Sequence, residues 1–156
     1  HVVVLGHTPV LAPAGTDNAA GLMLAGGRQA PLWQALQKHG ADLYLCGAAP
    51  AVACTQADGI LQIASGGAAG RDPKLSYVVA TVYPDRIDLE LKEIPVLNEG
   101  GRLPQNGENA PSERIRIADE TRQKGFTTIG TASLHAGGAG ARLTNATGTF
   151  EGKPLP

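Results

Sequence analysis

The sequence predicts a mixed α/β (α+β) fold made mainly of short strands, with one flanking helix and a β-rich, extended C-terminal tail. Hydrophobic residues make up 42% of the 156 residues and charged residues only 17%, a balance typical of a folded chain. The 21 glycines and 11 prolines indicate many turns, so the elements between them must be short. Short elements favour strands over long helices.

The first predicted element is a strand, Val2 to Leu5. This continuous apolar run is typical of a buried strand, and it leads into the loop Gly6-His7-Thr8-Pro9. Small residues, glycine and proline dominate residues 10–27, which predicts a long irregular connection. The chain begins with His and enters this strand at once, which we interpret as the mark of a cut or processed chain.

A helix is predicted next, from Pro31 through His39. Leu32, Ala35 and Leu36 recur at helical spacing, and proline is favoured in the first helical turn. Gly40 supplies the stop signal.

Three short strands follow, at Asp42 to Cys46, Ala51 to Thr55 and Ile60 to Ala64. The last two are joined by Ala57-Asp58-Gly59, which has the composition of a hairpin turn. Residues 65–72 form a glycine-rich loop. Because no helix with Lys and Ser or Thr follows it, we interpret it as a turn and not as a phosphate-binding loop.

The clearest hairpin joins Ser76 to Tyr83 with Arg86 to Ile94 through the turn Pro84-Asp85. In its second arm, apolar and charged residues alternate, so one face should be buried and the other solvated. The apolar set is Ile87, Leu89 and Leu91, and the charged set is Asp88, Glu90 and Lys92.

The composition changes after Pro95. We predict a core domain at 1–95, a linker at 96–112 and a tail rich in Thr and Gly at 113–156. The tail has weak strand signals and few large apolar groups, so it needs another surface to pack on. That surface is either this core or a neighbouring chain.

Charge and hydropathy exclude some classes of partner. The formal net charge is −1, and the lysines and arginines are scattered, so there is no basic patch for nucleic acid. No run approaches the roughly 20 apolar residues of a membrane-spanning helix.

Several strings, in order, resemble the C-terminal half of calcineurin-like metallophosphoesterases. They are VVVLGHTP, then ADLYLCG after a helix, then IASGG after a two-strand return. The later SYVVATVYPDRIDLELKEI is similar to the closing hairpin of that family. The resemblance covers residues 1–95 and implies a β sandwich flanked by helices, with a two-metal centre at the ends of strands.

The resemblance also implies that the metal site is degenerate. Metal-assisted phosphoester hydrolysis uses two cations about 3.5 to 4 Å apart, which need several converging ligands. Only the family's Gly-His loop is intact, which makes His7 a vestigial metal ligand. Ala48 and Pro50 stand where the final Gly-His-x-His motif has its histidines, and neither has a donor atom. We expect no catalytic residue and no cofactor in this chain.

Other candidate sites are weaker. Cys46 and Cys54, on strands predicted to be neighbours, could form a disulfide or remain two small buried thiols. Asn145 begins an N-glycosylation sequon. The cysteines, the sequon and the low lysine content lean towards an extracellular or periplasmic location. Ser133 with His135 is too little for a nucleophile, because a third orienting group is needed.

Two functions remain open. The chain is a structural, self-assembling or binding module whose tail joins copies or another chain by adding strands to an exposed edge. Alternatively, it is part of a metal-dependent phosphoesterase whose other half is missing or lies in another chain. That alternative requires a divalent pair of Mn, Fe or Zn.

Overall fold

The structure is a computed structural model that describes residues 1–12, 23–48, 52–65, 74–98, 115–136 and 140–150. These residues form an α+β fold with two four-stranded sheets, a two-stranded ribbon and few helices. No helix among them has the length and apolar character required to cross a bilayer.

The described elements run along the chain in the following order. They are β1 (Val3–Leu5), α1 (Pro31–Lys38), β2 (Leu43–Cys46), β3 (Ala53–Ala57), β4 (Ile60–Ala64), β5 (Lys74–Val82), β6 (Ile87–Pro95), β7 (Leu97–Asn98), β8 (Ile115–Arg116), α2 (Asp119–Lys124), β9 (Thr127–His135) and β10 (Arg142–Thr144). The first sheet has the order β1-β2-β4-β3, the second has β10-β9-β6-β5, and β7 pairs with β8.

Helix α1 confirms the predicted helix and ends at Lys38. Trp33 and Leu36 are buried, whereas Ala35 is exposed. The indole Nε1 of Trp33 donates to the carboxylate of Asp58 at 2.9 Å, and Arg28 binds the same carboxylate. These bonds lower the pKa of Asp58, with the Arg28 bond the largest cause. They also join the helix to the β3–β4 turn.

The predicted strands of the first sheet are present. β2 and β4 match their predicted ranges closely, and β3 begins at Ala53 and not at the predicted Ala51. Asp58 and Gly59 have φ angles of 51° and 74°, which suit a tight two-residue hairpin turn. β1, β2 and β4 are parallel, and β3 is antiparallel to β4.

The interpretation of residues 2–5 as a buried strand was wrong. Among the described strands, β1 pairs only with β2, and it lies at the edge of its sheet. Val3 and Leu5 are 40% and 76% exposed, and only Val4 packs against the buried cluster on the helix side. Hydrophobicity predicted a strand correctly, but it did not report the strand's position in the sheet.

The predicted hairpin is confirmed as β5 and β6, which pair without a register shift. Ile87, Leu89 and Leu91 are buried, and the charged residues between them lie on the opposite face. The buried face of β6 meets Leu43, Leu61 and Ile63 of the first sheet in one cluster. The two sheets therefore form a sandwich, and α1 covers the outer face of the first sheet.

The C-terminal tail packs on the chain's own core, which was one of the two surfaces left open. β9 forms an antiparallel ladder with β6, and β10 pairs with β9. Leu134 and Phe150 join the cluster between the sheets. The polar segment 119–124, for which no structure was predicted, is helix α2. Residues 99–114, most of the predicted linker, lie outside the described residues.

We expect Leu134→Ala to destabilise the whole domain by about 2–5 kcal/mol, because it removes a fully buried side chain and leaves a cavity. Chemical denaturation followed by circular dichroism measures the effect. Leu97→Ala is the matched control, since Leu97 is 46% exposed and should cost much less. Equal effects of the two substitutions would contradict the assignment of β9 to the core.

Candidate functional site

The loops that follow β1 and β2 meet at the same edge of the first sheet. Both strands are parallel, so their carboxyl ends lie side by side. The N–H of Gly6 donates to the C=O of Leu45 at 2.9 Å, and the N–H of Gly47 donates to the C=O of His7 at 2.8 Å. The structure therefore brings His7 next to the Gly47-Ala48 segment.

Gly6 is required by packing at this point. A Cβ at Gly6 would collide with the hydroxyl and ring of Tyr44, with ring carbons only 2.8 Å away. The Tyr44 hydroxyl donates to the C=O of Thr8 at 2.9 Å. Gly6 thus has a structural cause here, independent of any role of the Gly-His pair in metal binding.

Gln62 of β4 anchors the chain that follows His7. Its side-chain carbonyl accepts from the N–H groups of Val10 and Leu11 at 2.8 and 2.9 Å, and its Nε2 donates to the C=O of Leu11 at 2.9 Å. Gln62 is 1% exposed, so these bonds form away from water. Nearby, Thr55 Oγ1 donates to the C=O of Ala12 at 3.4 Å. Polar side chains from β2, β4 and β3 therefore fix residues 8–12 across the sheet.

His7 is the metal ligand that the resemblance implies at this edge. His7 is exposed and its imidazole faces Gly47. Among the described residues, no group of three or more His, Cys, Asp and Glu side chains could hold a metal ion. A pair of closely spaced cations needs several anionic or imidazole ligands, which the described residues do not gather around His7.

Of the two positions that the resemblance treats as degenerate ligand positions, the structure describes only Ala48. Ala48 follows Gly47 with a φ of 57°, a left-handed conformation that costs a residue with a Cβ about 1–2 kcal/mol. Its methyl group adds no donor beside His7. Pro50 lies outside the described residues, as do the glycines predicted to form the loop at 66–72.

The cysteines are not on neighbouring strands, so that prediction was wrong. β4 lies between β2 and β3, and both thiols are free. Cys46 packs with the helix-side cluster and Cys54 with the cluster between the sheets. Two strand spacings separate their backbones by roughly 9 to 10 Å, beyond the reach of a disulfide. Burial raises the pKa of each thiol to about 12.

A second group of polar side chains lies on the outer face of the second sheet. Ser133 donates to the Asp88 carboxylate at 2.8 Å, and the His135 Nε2 is 3.0 Å from the Thr144 hydroxyl. The Ser133 bond, with help from Arg86, lowers the pKa of Asp88. The carboxylate is therefore ionised at neutral pH, and it accepts a hydrogen bond from the Ser133 hydroxyl. His135 bonds to Thr144, so the three side chains do not form a serine-nucleophile triad.

This outer face also contains a shallow groove of about 220 Å³. Asn145, the predicted glycosylation residue, lines it together with Asp88 and Ser133. Asn145 is exposed, but the sequon's Thr147 hydroxyl lies 2.9 Å from the Thr131 hydroxyl and accepts from the Thr131 N–H at 3.0 Å. Glycosylation at Asn145 stays a prediction.

The sequence analysis did not identify Gln62, Tyr44 and Asp58, whose side chains hydrogen-bond to segments distant in sequence. A glutamine inside the apolar string ILQIA was the available signal, since a buried amide must find hydrogen-bond partners. The partners themselves lie about fifty residues away and could not be read from the string.

Comparison with known proteins adds no assignment: no family model, curated protein or solved structure matches this chain.

We expect Gln62→Leu to lower the free energy of unfolding by at least about 2 kcal/mol, since it leaves the Val10 and Leu11 amides buried without acceptors. Amide exchange at Val10 and Leu11 should also accelerate. Gln56→Leu is the control: this half-buried residue makes one side-chain bond, to the C=O of Ala141. If Gln62→Leu is as mild as Gln56→Leu, the anchoring role is refuted.

Proposed function

We propose that this chain is a catalytically degenerate, metallophosphoesterase-like domain that acts as a structural module and binds another polypeptide strand at the open edge of β1. The observation that carries the proposal is the exposure of an entirely apolar strand at that edge. The occupant is an extended segment from outside these 156 residues, in the same polypeptide or in a partner chain.

The backbone of β1 has hydrogen-bonding groups available for such a segment. The C=O of Val2 accepts from Asp42 and Leu43, and the N–H of Gly6 donates to Leu45. Because a strand's backbone groups point alternately to its two sides, those of Val3 and Leu5 point away from β2. They form the open edge.

The side chains at this edge favour a partner strand over water. Val3 and Leu5 lie on the face of β1 that belongs to the space between the two sheets, since their pairing partners Leu43 and Leu45 pack there. An exposed leucine and valine on an otherwise buried face lose hydrophobic stabilisation until something covers them. Free edge strands are usually protected by shortness, charge, proline or a bulge; β1 has only three residues but carries no charge and no proline.

The weak donor set at His7 supports a non-catalytic role. With alanine at 48 and proline at 50, two positions of the last metal-binding motif offer no side-chain lone pair.

The strands of the predicted tail already pair within the chain. β9 pairs with β6, and β10, at the edge of the second sheet, pairs with β9. We therefore place strand addition at β1 and not in the tail.

We expect the amides of Val3 and Leu5 to exchange rapidly in the isolated 156-residue chain and slowly in the protein isolated from its natural source. A bound strand would protect them, because their N–H groups are the ones facing the open edge. Hydrogen exchange with mass spectrometric or NMR detection measures this. The Gly6 amide, bonded to Leu45, is the internal control and should be protected in both forms. Rapid exchange of Val3 and Leu5 in both forms would refute the proposal.

The alternative function, a portion of an active phosphoesterase, is favoured by one observation: the Gly-His loop is held firmly beside the Gly47 loop. It predicts stoichiometric Mn, Fe or Zn and turnover of p-nitrophenyl phosphate in the natural protein, both lost in His7→Ala. Our proposal instead predicts no turnover above background and no change of metal content in His7→Ala. Elemental analysis and the phosphatase assay decide between them, with His39→Ala as the matched control, since His39 is an exposed residue at the end of α1.

A further inference from the structure

We propose that two copies of this chain pair with each other through β5, in an antiparallel arrangement that joins their second sheets into one. β5 is one of the two edge strands of the second sheet, whereas β1 is one of the two edge strands of the first. The inference uses different residues from the proposed function and stands or falls separately.

The outward-facing backbone groups of β5 can be identified from the hairpin. The N–H of Tyr83 donates to the C=O of Arg86 at 2.8 Å, and the β5–β6 register is continuous. Hydrogen-bonded pairs alternate along an antiparallel ladder, so Val79 and Thr81 bond to β6. The N–H and C=O groups of Ser76, Val78, Ala80 and Val82 then point away from β6, and the C=O of Ser76 already accepts from the Ser65 hydroxyl at 3.3 Å. The pairing therefore uses the groups of Val78, Ala80 and Val82. Nothing in the described part of the chain bonds to these outward groups.

The edge lacks the features that normally prevent strand pairing. Residues 75–83 contain no charged residue and no proline, and β5 has no bulge. Val82 is 61% exposed, and Tyr77, Val79 and Tyr83 are each about two-fifths exposed. Long, flat, uncharged edges of this kind are templates for another strand.

The spacing of the free groups selects a second copy of β5 in one register. Val78, Ala80 and Val82 are symmetric about Ala80. An antiparallel copy with Ala80 opposite Ala80 places Val78 opposite Val82 of the second copy, so that the outward groups of these three residues meet one another. Three hydrogen-bonded pairs supply about six hydrogen bonds across a two-fold axis.

Side chains match in the same register. Tyr77 comes opposite Tyr83 of the second copy at both ends of the interface, and Val79 comes opposite Thr81. Aromatic and β-branched cross-strand pairs of this kind each contribute roughly 0.2–1 kcal/mol. The small Ala80 lies on the axis, where two large side chains would crowd each other. The exposed residues of β5 thus find suitable partners in an identical strand.

Charged residues at the ends of the paired stretch weaken this pairing but do not prevent it. No charged residue lies within the paired stretch, and Lys74 and Arg86 of the second copy approach only at its ends. In each chain Lys74 is 2.9 Å from Glu93, and Arg86 is 3.1 Å from Asp88, so both cations are already paired. A contact built on one strand is smaller than a standard stable interface, so the dimer should be concentration-dependent.

Sedimentation equilibrium of the 156-residue chain tests the dimer. The average mass should rise from 16.0 kDa towards about twice that value as concentration approaches about 1 mM. Ala80→Pro should keep the chain monomeric, because it removes an outward N–H while an edge strand tolerates proline there. Ala80→Lys should do the same by placing two ammonium groups at the axis. Circular dichroism confirms that both variants fold. A wild-type chain that stays monomeric, or folded variants that still dimerise, would overturn the proposal.

Cross-linking tests the register. Ala80→Cys should form a covalent dimer on mild oxidation, because paired residues in this register have Cα atoms about 5.5 Å apart. Thr81→Cys is the matched control, since Thr81 lies opposite Val79 and not opposite itself. Val3→Lys with Leu5→Lys should leave dimerisation unchanged. If this β1 variant abolishes dimers while Ala80→Lys does not, self-association uses β1, and the β5 inference fails without affecting the proposed binding of a strand at β1.

Discussion

The three hydrogen bonds of Gln62 are the interaction on which the helix side of the fold depends. They provide hydrogen-bond partners for the backbone groups of Val10 and Leu11, which are buried. These two residues can therefore lie against the sheet and away from solvent. Because the connection is fixed, the loop that begins at His7 is fixed as well. The cluster beneath α1 also closes only because Val10 and Leu11 fill it. One amide side chain thereby couples the candidate site to the packing of the domain.

The same requirement, that backbone groups find partners, gives the sheet edges their importance. Within each four-stranded sheet the two inner strands have two neighbours, whereas the edge strands β1, β3, β5 and β10 each have one among the described strands. β1 is apolar and ends in the loop of the predicted metal ligand, whereas β5 ends in a tight hairpin. An edge with apolar side chains combines unpaired amides with uncovered hydrophobic surface, and a further strand satisfies both at once. Open strand edges are therefore what the described residues offer to a partner chain, and no group of three or more donor side chains among these residues could hold a metal ion.

The chain's local patterns predicted much of the fold. The α1 range, the β5–β6 hairpin and the tight turn at Asp58 and Gly59 each depend on residues close together in sequence, and each was found. Predictions that required knowledge of neighbours failed. Cys46 and Cys54 were expected on adjacent strands, but β4, which comes later in the chain, inserts between them. The tail's position beside β6 was equally undetermined, because its strands carry few large apolar residues.

The candidate site divides in the same way. The sequence by itself determined which donor atoms exist: His7 has an imidazole, and alanine and proline at 48 and 50 have nothing to offer. It also determined where strands and turns begin, since these follow from side-chain periodicity and backbone preference. Only the tertiary structure decided that β1 lies at an edge and that Gln62 binds residues about fifty positions away in the sequence. It also decided that the backbone amides of Val78, Ala80 and Val82 point away from β6. Strand order and edge exposure arise from long-range hydrogen bonding, which no local pattern encodes.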